Sequence, residues 1–257
     1  MIFAAGLGTR LRPLTNDRPK ALVEINGRTL LEITLTRLRQ FGVSEVVINV
    51  HHFADMIVEY LQANKSFGIQ IEVSREDALL DTGGGLKKAA SLLLKGSDNS
   101  SVQNSGEASS SLTPPIIVHN VDVLSTIDLA RMLQFHHENR ALATLAVQDR
   151  QTSRYLVFDS RHQLCGRRTG SNPPELLGTR QPAQALAFSG IHIVSARLLD
   201  LLTEEGAFSI ITAYLRLAAQ GEKIQAFRAD EYYWRDLGTP ESVAQAGEDL
   251  RRQSVVR

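Results

Sequence analysis

The chain has 257 residues, 43% of them hydrophobic and 22% charged, which is ordinary globular usage and excludes a disordered, collagen-like or mini-protein reading. Its 28 Lys and Arg balance 28 Asp and Glu, so the global field by which a nucleic-acid binder or polybasic membrane protein gathers its partner is absent. Any anion must be held by a local site. Cys165 is the single cysteine; with no disulfide possible within the chain, no basic flank before an apolar leader and no apolar run near about 18 residues, the reading is cytoplasmic, with neither membrane nor nucleic acid as partner.

Residues 1–5 (MIFAA) form an apolar run without polar alternation, which predicts a buried strand passing directly into a glycine loop. Over 29–41, Leu31, Leu35, Leu38 and Phe41 recur at helical spacing, Thr29 and Glu32 have the capping-box pattern, and Gly42 supplies the stop. A strand over 46–50, a helix over 54–61 and a strand over 69–73 follow. This β-α-β-α-β order predicts a mainly parallel sheet with helices on both faces, and ligands in such sheets sit beyond the carboxyl ends of the strands. The Ser-rich segment 96–113 reads as an exposed flexible loop. Order resumes with a strand over 116–118 leading into His119-Asn120-Val121-Asp122, then a helix over 129–135. Strands over 141–147, 155–158 and 185–194 in close succession suggest an added antiparallel portion. Helices over 196–202 and 209–219, a strand over 224–227, and Thr239-Pro240 as N-cap and first residue of a final helix complete the chain.

The most informative segment follows the first strand: Gly6-Leu7-Gly8-Thr9-Arg10-Leu11-Arg12-Pro13-Leu14-Thr15. Glycines there let backbone N–H groups curl around an anion and approach phosphate closely. Leu11 stands where a dinucleotide fingerprint needs its third glycine, and no Gly-Lys-Ser/Thr follows as in a Walker A loop. Arg10 and Arg12 add guanidinium groups suited to phosphate oxygens, and Lys20 in Pro19-Lys20-Ala21-Leu22 adds a compact charge. The plainer alternative is a glycine turn beside solvated basic residues.

This opening resembles the signature of the sugar-1-phosphate nucleotidylyltransferases. The resemblance continues in family order through Asp81-Thr82-Gly83-Gly84-Gly85, Asp122, Phe188-Ser189-Gly190-Ile191 and Trp234-Arg235-Asp236-Leu237-Gly238-Thr239-Pro240, over nearly the whole chain. It implies a Rossmann-like nucleotide-diphospho-sugar transferase fold, an α/β architecture with a mixed, mainly parallel sheet flanked by helices and a small antiparallel portion. It further implies one nucleotidyltransferase domain over 1–257, residues 1–125 mainly holding a nucleoside triphosphate and 126–257 a sugar 1-phosphate, with Mg²⁺ as cofactor. On that resemblance Ala5, Gly6, Leu7, Gly8, Thr9, Arg10 and Lys20 contact the nucleotide, Arg10 and Lys20 also serving catalysis. Thr82 and Gly83 lie on the base side, Gly84, Ser189 and Gly190 contact the sugar, and Asp122 and Asp236 hold the metal.

The chemistry gives these residue types a reason. Attack by one phosphate on another brings two anions together, so charge neutralisation and in-line positioning matter more than a covalent nucleophile. Two hard carboxylates can share one Mg²⁺ whose remaining ligands are phosphate oxygens and water. Simpler roles stay open at this point: either Asp as a cap, Gly83-Gly84-Gly85 as a tight turn into a helix, Ser189-Gly190 as a β-bulge. His51, His52, His119, His136 and His137 lack metal-cluster spacing, Cys165 reads as an inert thiol, and Trp234 beside Tyr232 and Tyr233 reads as packing.

Two departures from the family pattern stand out. Val121, rather than a small residue, precedes Asp122, and no Glu-Lys-Pro occurs between 150 and 180, where many hexose-1-phosphate members place a sugar-binding Glu and a phosphate-binding Lys. The triple glycine, F-S-G-I and Gly206-Ala207-Phe208-Ser209 look more like the compact N-acetylmuramate-1-phosphate uridylyltransferases, so UTP and N-acetylmuramate 1-phosphate are the expected substrates. Mannose-1-phosphate guanylyltransferase is the neighbouring alternative. A phosphocholine cytidylyltransferase would need an aromatic cage, and a non-catalytic nucleotide-sugar sensor would be expected to have lost Arg10, Lys20 or one of the two Asp residues.

Overall fold

The computed structural model describes residues 1–95, 113–178 and 181–252. The Ser-rich segment expected as a loop lies outside the described residues apart from Thr113. The strands are β1 (Ile2–Phe3), β2 (Glu24–Ile25), β3 (Arg28–Thr29), β4 (Glu45–Val50), β5 (Gln70–Arg75), β6 (Ile116–Asn120), β7 (Val123–Ser125), β8 (Ala143–Gln148), β9 (Arg154–Phe158), β10 (Leu164–Thr169), β11 (Glu175–Leu176), β12 (Gln184–Val194), β13 (Ile224–Arg228) and β14 (Trp234–Asp236). The helices are α1 (Leu30–Gln40), α2 (Ala54–Ala63), α3 (Asp81–Lys88), α4 (Ala90–Leu94), α5 (Leu129–Asn139), α6 (Arg197–Asp200), α7 (Ile210–Ala219) and α8 (Pro240–Arg252).

Local chemistry sets most of these limits. Thr29 caps α1 by accepting from the Glu32 amide at 3.0 Å, Asp128 caps α5 by accepting from Arg131, and Ser209 caps α7 by accepting from Ile211. Pro240 opens α8 as expected, with Thr239 accepting from the Ser242 amide. Asn26 and Gly27, both at positive φ, turn β2 into β3, the connection that an Asn-Gly pair favours.

Ten strands form one sheet. β5, β4, β1 and β6 run parallel; β12 follows antiparallel, and β8 pairs antiparallel with β12 but parallel with β13. The antiparallel portion is β9, β10 and β11 beside β12, so β8, expected within it, returns to the parallel direction. The architecture is the mixed, mainly parallel α/β sheet that the sequence implied. Side chains alternate between two cores, as a sheet buried on both faces requires: Ile2 and Ile48 pack with α1, α2, α5 and α8 residues such as Leu35, Ile57, Met132 and Ala246, while Phe3 and Val47 join Leu86, Leu198, Tyr214 and Leu217 from α3, α6 and α7. Because β1, β4, β5, β6, β8 and β13 share one direction, their carboxyl ends open at one edge of the sheet. Among the described residues no helix is long and apolar enough to cross a membrane.

Candidate active site

At that edge lies a cleft of about 460 Å³ lined by Phe3 to Arg10, Lys20, Asn49, Glu76, Leu79, Asp81, Thr82, Asn120, Val121, Asp122, Ala207 and Gly238. The glycine loop leaves β1 and closes on itself. Gly8 takes φ +64°, its carbonyl accepts from the Leu11 amide at 2.9 Å and from Thr15 Oγ1 at 2.8 Å, and buried Leu11 anchors the turn in the core. A Cβ at Gly8 would stand 3.0 Å from the Thr15 methyl and 3.3 Å from Lys20 Cβ, so the loop lies directly on the segment that carries Lys20. Gly6, Leu7, Thr9 and Arg10 remain exposed on the cleft side.

Lys20 Nζ donates to Asp122 Oδ2, both side chains largely shielded from solvent. Asp122 follows β6, and its carbonyl accepts from the Leu237 amide at 2.8 Å beside the β7–β14 ladder, in which Asp236 is paired with Val123. The two carboxylates expected to share a metal therefore leave neighbouring stretches of backbone, although Asp236 does not line the cleft. Asp236 Oδ1 accepts from the Gly238 amide at 2.9 Å; a Cβ at Gly238 would lie 2.4 Å from that oxygen and 2.9 Å from Arg10 Nη2. Arg10 and Asp236 thus meet over a backbone that only glycine leaves open. Among the described residues no group of three or more His, Cys, Asp or Glu is placed to hold a metal unaided. Two carboxylates on neighbouring stretches of backbone are nevertheless a donor set of the kind Mg²⁺ takes, ordinarily one or two protein carboxylates together with substrate phosphates.

A polar network beneath the cleft was not anticipated. Asn49, in the otherwise apolar strand β4, accepts from the Ala4 amide at 2.8 Å and donates to Glu76 Oε1 at 2.7 Å, and Glu76 Oε2 accepts from the Leu80 amide at 3.0 Å. Both side chains are buried. They tie the ends of β1, β4 and β5 together where the cleft opens. The detectable signal was a lone amide inside Val46-Val47-Ile48-Asn49-Val50, because a buried polar group demands partners.

The glycine run proves to be helical packing. Gly83, Gly84 and Gly85 lie inside α3, and the amides of Gly83 and Gly84 donate to the Phe208 carbonyl at 2.8 and 3.3 Å instead of facing the cleft. Added Cβ atoms would stand 2.2 Å from the Phe208 ring, 2.5 Å from the Gly206 carbonyl and 2.7 Å from Asn49 Nδ2, respectively. Thr82 lines the cleft, with its Oγ1 accepting from the Ile210 amide at 3.0 Å. Ser189 and Gly190 likewise fall outside the lining. They sit where the β12–β8 register shifts between Phe188 and His192, a bulge in which Gly190 takes φ +72° and packs against cleft residue Asn120. The Ser189 carbonyl accepts from Trp234 Nε1 at 2.8 Å.

The discounted residues keep structural positions. Cys165 is buried, and burial pulls His119 and His136 down to about 4 and His192 to about 3. One face of Trp234 is covered by the guanidinium of Arg150, 3.6 Å from the ring centroid.

A parallel sheet whose carboxyl edge gathers a glycine loop, a lysine and a strand-end aspartate is the Rossmann-like architecture of nucleotidyltransferases. Comparison with known proteins agrees. The nucleotidyl transferase family model matches residues 1–253. N-acetylmuramate alpha-1-phosphate uridylyltransferase of Caulobacter vibrioides is 31% identical over 94% of this chain and 92% of its own length. Mannose-1-phosphate guanylyltransferase of Mycobacterium tuberculosis is 28% identical over 98% of this chain, which spans 64% of that relative's length. HddC of Yersinia pseudotuberculosis, solved with GMP-PN, shares the fold with a TM-score of 0.70 at 21% identity, each chain covered to 97%. The chain belongs to the nucleotidyl transferase family, and the resemblance read from its sequence is borne out.

Proposed function

We propose that the chain transfers a nucleotidyl group from a nucleoside triphosphate to a sugar 1-phosphate. An oxygen of the sugar phosphate attacks the α-phosphorus, the bond to the β-phosphate breaks, and pyrophosphate leaves. The observation that carries this reading is the meeting of the glycine loop, Lys20 and Asp122 in one cleft at the carboxyl edge of the parallel strands. In it, Ala5 to Arg10 wrap the triphosphate with backbone amides and the Arg10 guanidinium. Lys20 stabilises charge growing on the α-phosphate. Thr82 borders the base. Gly83, Gly84, Ser189 and Gly190 shape the walls through the helix and bulge they build, and direct contact with the base or sugar falls to their neighbours.

Asp122 and Asp236 are the residues that would hold Mg²⁺, which when bound would supply a hard positive charge to offset that of the phosphates. With no nucleotide present, Lys20 and Asp122 neutralise each other; on binding, Lys20 turns its charge to the phosphates and the Asp122 carboxylate is released for the cation. The finer assignment, UTP with N-acetylmuramate 1-phosphate, draws on the Caulobacter relative, matched over 92% of its length. Guanylyl transfer to mannose 1-phosphate is the alternative, from longer relatives. Residues 1–257 act on this reading as one catalytic domain in a reducing cytoplasm. A matrix of the four nucleoside triphosphates against several sugar 1-phosphates with Mg²⁺, followed by pyrophosphate release, tests it. UTP with N-acetylmuramate 1-phosphate should give the highest kcat/KM; a folded protein releasing pyrophosphate with no pair would refute the reading.

A further inference from the structure

The second substrate brings its own phosphate, yet between 150 and 180 the chain has no lysine at all. The described arginines of that stretch are told apart by exposure, pairing and position in the sheet. Arg154 and Arg161 are exposed, and Arg167 is paired with Glu175 at 2.7 Å. Arg168, whose Nε is likewise buried without an acceptor among the described residues, lies over the Tyr155 ring on β10, two strands out from β12, and differs from Arg150 in position. Arg150 stands alone in position. It follows the carboxyl end of β8, which runs parallel to β6, and so emerges at the same sheet edge as Asp122.

There the guanidinium is held rigidly. It lies 3.6 Å from the Trp234 ring centroid, Nη2 donates to the Phe188 carbonyl at 2.8 Å, and Trp234 is itself fixed by its hydrogen bond to the Ser189 carbonyl in the β12 bulge. Burial lowers its pKa from the ordinary value while Asp236 and Tyr155 hold the charge in place. Of its remaining donors, Nε is buried and has no acceptor among the described residues. A buried, charged N–H without an acceptor is costly, and native structures keep few of them. Nε and the outer Nη form the side of a guanidinium that grips two oxygens of a phosphate.

We propose that Arg150 binds the phosphate of the acceptor substrate, in a subsite whose wall is Trp234. The proposal rests on the nucleotidyl-transfer reading above and names the residue that supplies the positive charge on the acceptor side. The stacked geometry favours a planar fork over a lysine ammonium, because only the fork can lie flat on the indole and still present two parallel donors.

Trp234 is the only tryptophan of the chain, so it reports on this subsite without labelling. Titrating the protein with inorganic phosphate in the absence of nucleotide should change its emission saturably. Lys20→Ala should keep that response and Arg150→Gln should lose it. In steady state, Arg150→Gln should raise KM for the sugar 1-phosphate by about 10²-fold, the scale of a lost charge-assisted pair, and leave KM for the triphosphate within about threefold. Arg150→Lys, which keeps the charge and loses the fork, should raise the acceptor KM about tenfold and serves where the Gln variant does not fold. An unchanged acceptor KM in either folded variant, or equal rises in both KM values, overturns the proposal. If no substrate pair turns over, the transfer reading fails, and the phosphate titration still decides Arg150: a response kept in Arg150→Gln refutes the subsite.

Discussion

Replacing Gly85 by Ala sets two effects of opposite sign against each other. Gly85 is inside α3, where Ala is the better helix former by about 1 kcal/mol. The new methyl would lie 2.7 Å from Asn49 Nδ2 and 2.8 Å from Glu76 Oε1, distances that real side chains do not tolerate. Asn49 and Glu76 must therefore part or the helix must shift. Overpacking costs about 1–3 kcal/mol, and a buried polar group left unpaired costs about 1–3 kcal/mol more, so packing wins and the net loss is about 1–5 kcal/mol. Because Asn49 also holds the Ala4 amide at the root of the glycine loop, the triphosphate KM should rise together with the loss of stability. Urea unfolding gives the first quantity and steady-state kinetics the second. Gly247→Ala in α8 is the control, since its methyl would come no closer than 3.2 Å to the side-chain oxygen of Asn26, and its midpoint should stay near that of the parent. A Gly85→Ala protein with the parental urea midpoint and triphosphate KM would refute the claim that this network carries the cleft.

Lys20→Ala should lower kcat by about 10²-fold, as loss of one preorganised charge-stabilising group does; turnover equal to the parent in a folded variant removes Lys20 from the chemistry. Asp122→Asn and Asp236→Asn should each raise the Mg²⁺ concentration needed for half-maximal rate, and the double variant should be little worse than the poorer single if the pair acts as one unit. Multiplicative losses would separate the two roles. His119, His136 and His192 are kept neutral by burial, pulled to about 4, 4 and 3, whereas in the unfolded chain they protonate near the ordinary 6.5. Below pH 6.5 the unfolded state therefore binds more protons, so the stability is fully present above that pH and falls as the pH drops toward 4, by up to about 1.4 kcal/mol per unit for each ring. Thermal melts between pH 7.5 and 4.5 check this, and a flat Tm would contradict it.

The parallel frame was legible because each of its strands and helices carries its own period and punctuation: Val46 to Val50 are apolar but for Asn49, and Thr29 and Gly42 bracket α1. The nucleotide loop was equally plain, since a glycine pair followed by arginines is a local pattern. What escaped was set by contacts distant in sequence. The role of Gly83 to Gly85 depends on Phe208, Gly206 and Asn49, none of which their spacing reveals. The Lys20–Asp122 pair spans 102 positions, and the short strands β7 and β14 have no periodicity to announce them. Arg150 was invisible for the same reason: its partners Phe188 and Trp234 come from β12 and β14.

The β7–β14 ladder acts as a ruler. Three residue pairs, Trp234 with Ser125, Arg235 with Leu124 and Asp236 with Val123, place the backbones of Asp122 and Asp236 side by side, and alternate residues of a strand point to opposite faces. A changed side chain within the ladder leaves that spacing intact. One residue gained or lost would rotate everything beyond it to the other face and carry a carboxylate away from its counterpart. Chain length here is therefore as constrained as the Trp234 and Asp236 side chains themselves, and engineering of the ladder should keep the number of residues fixed.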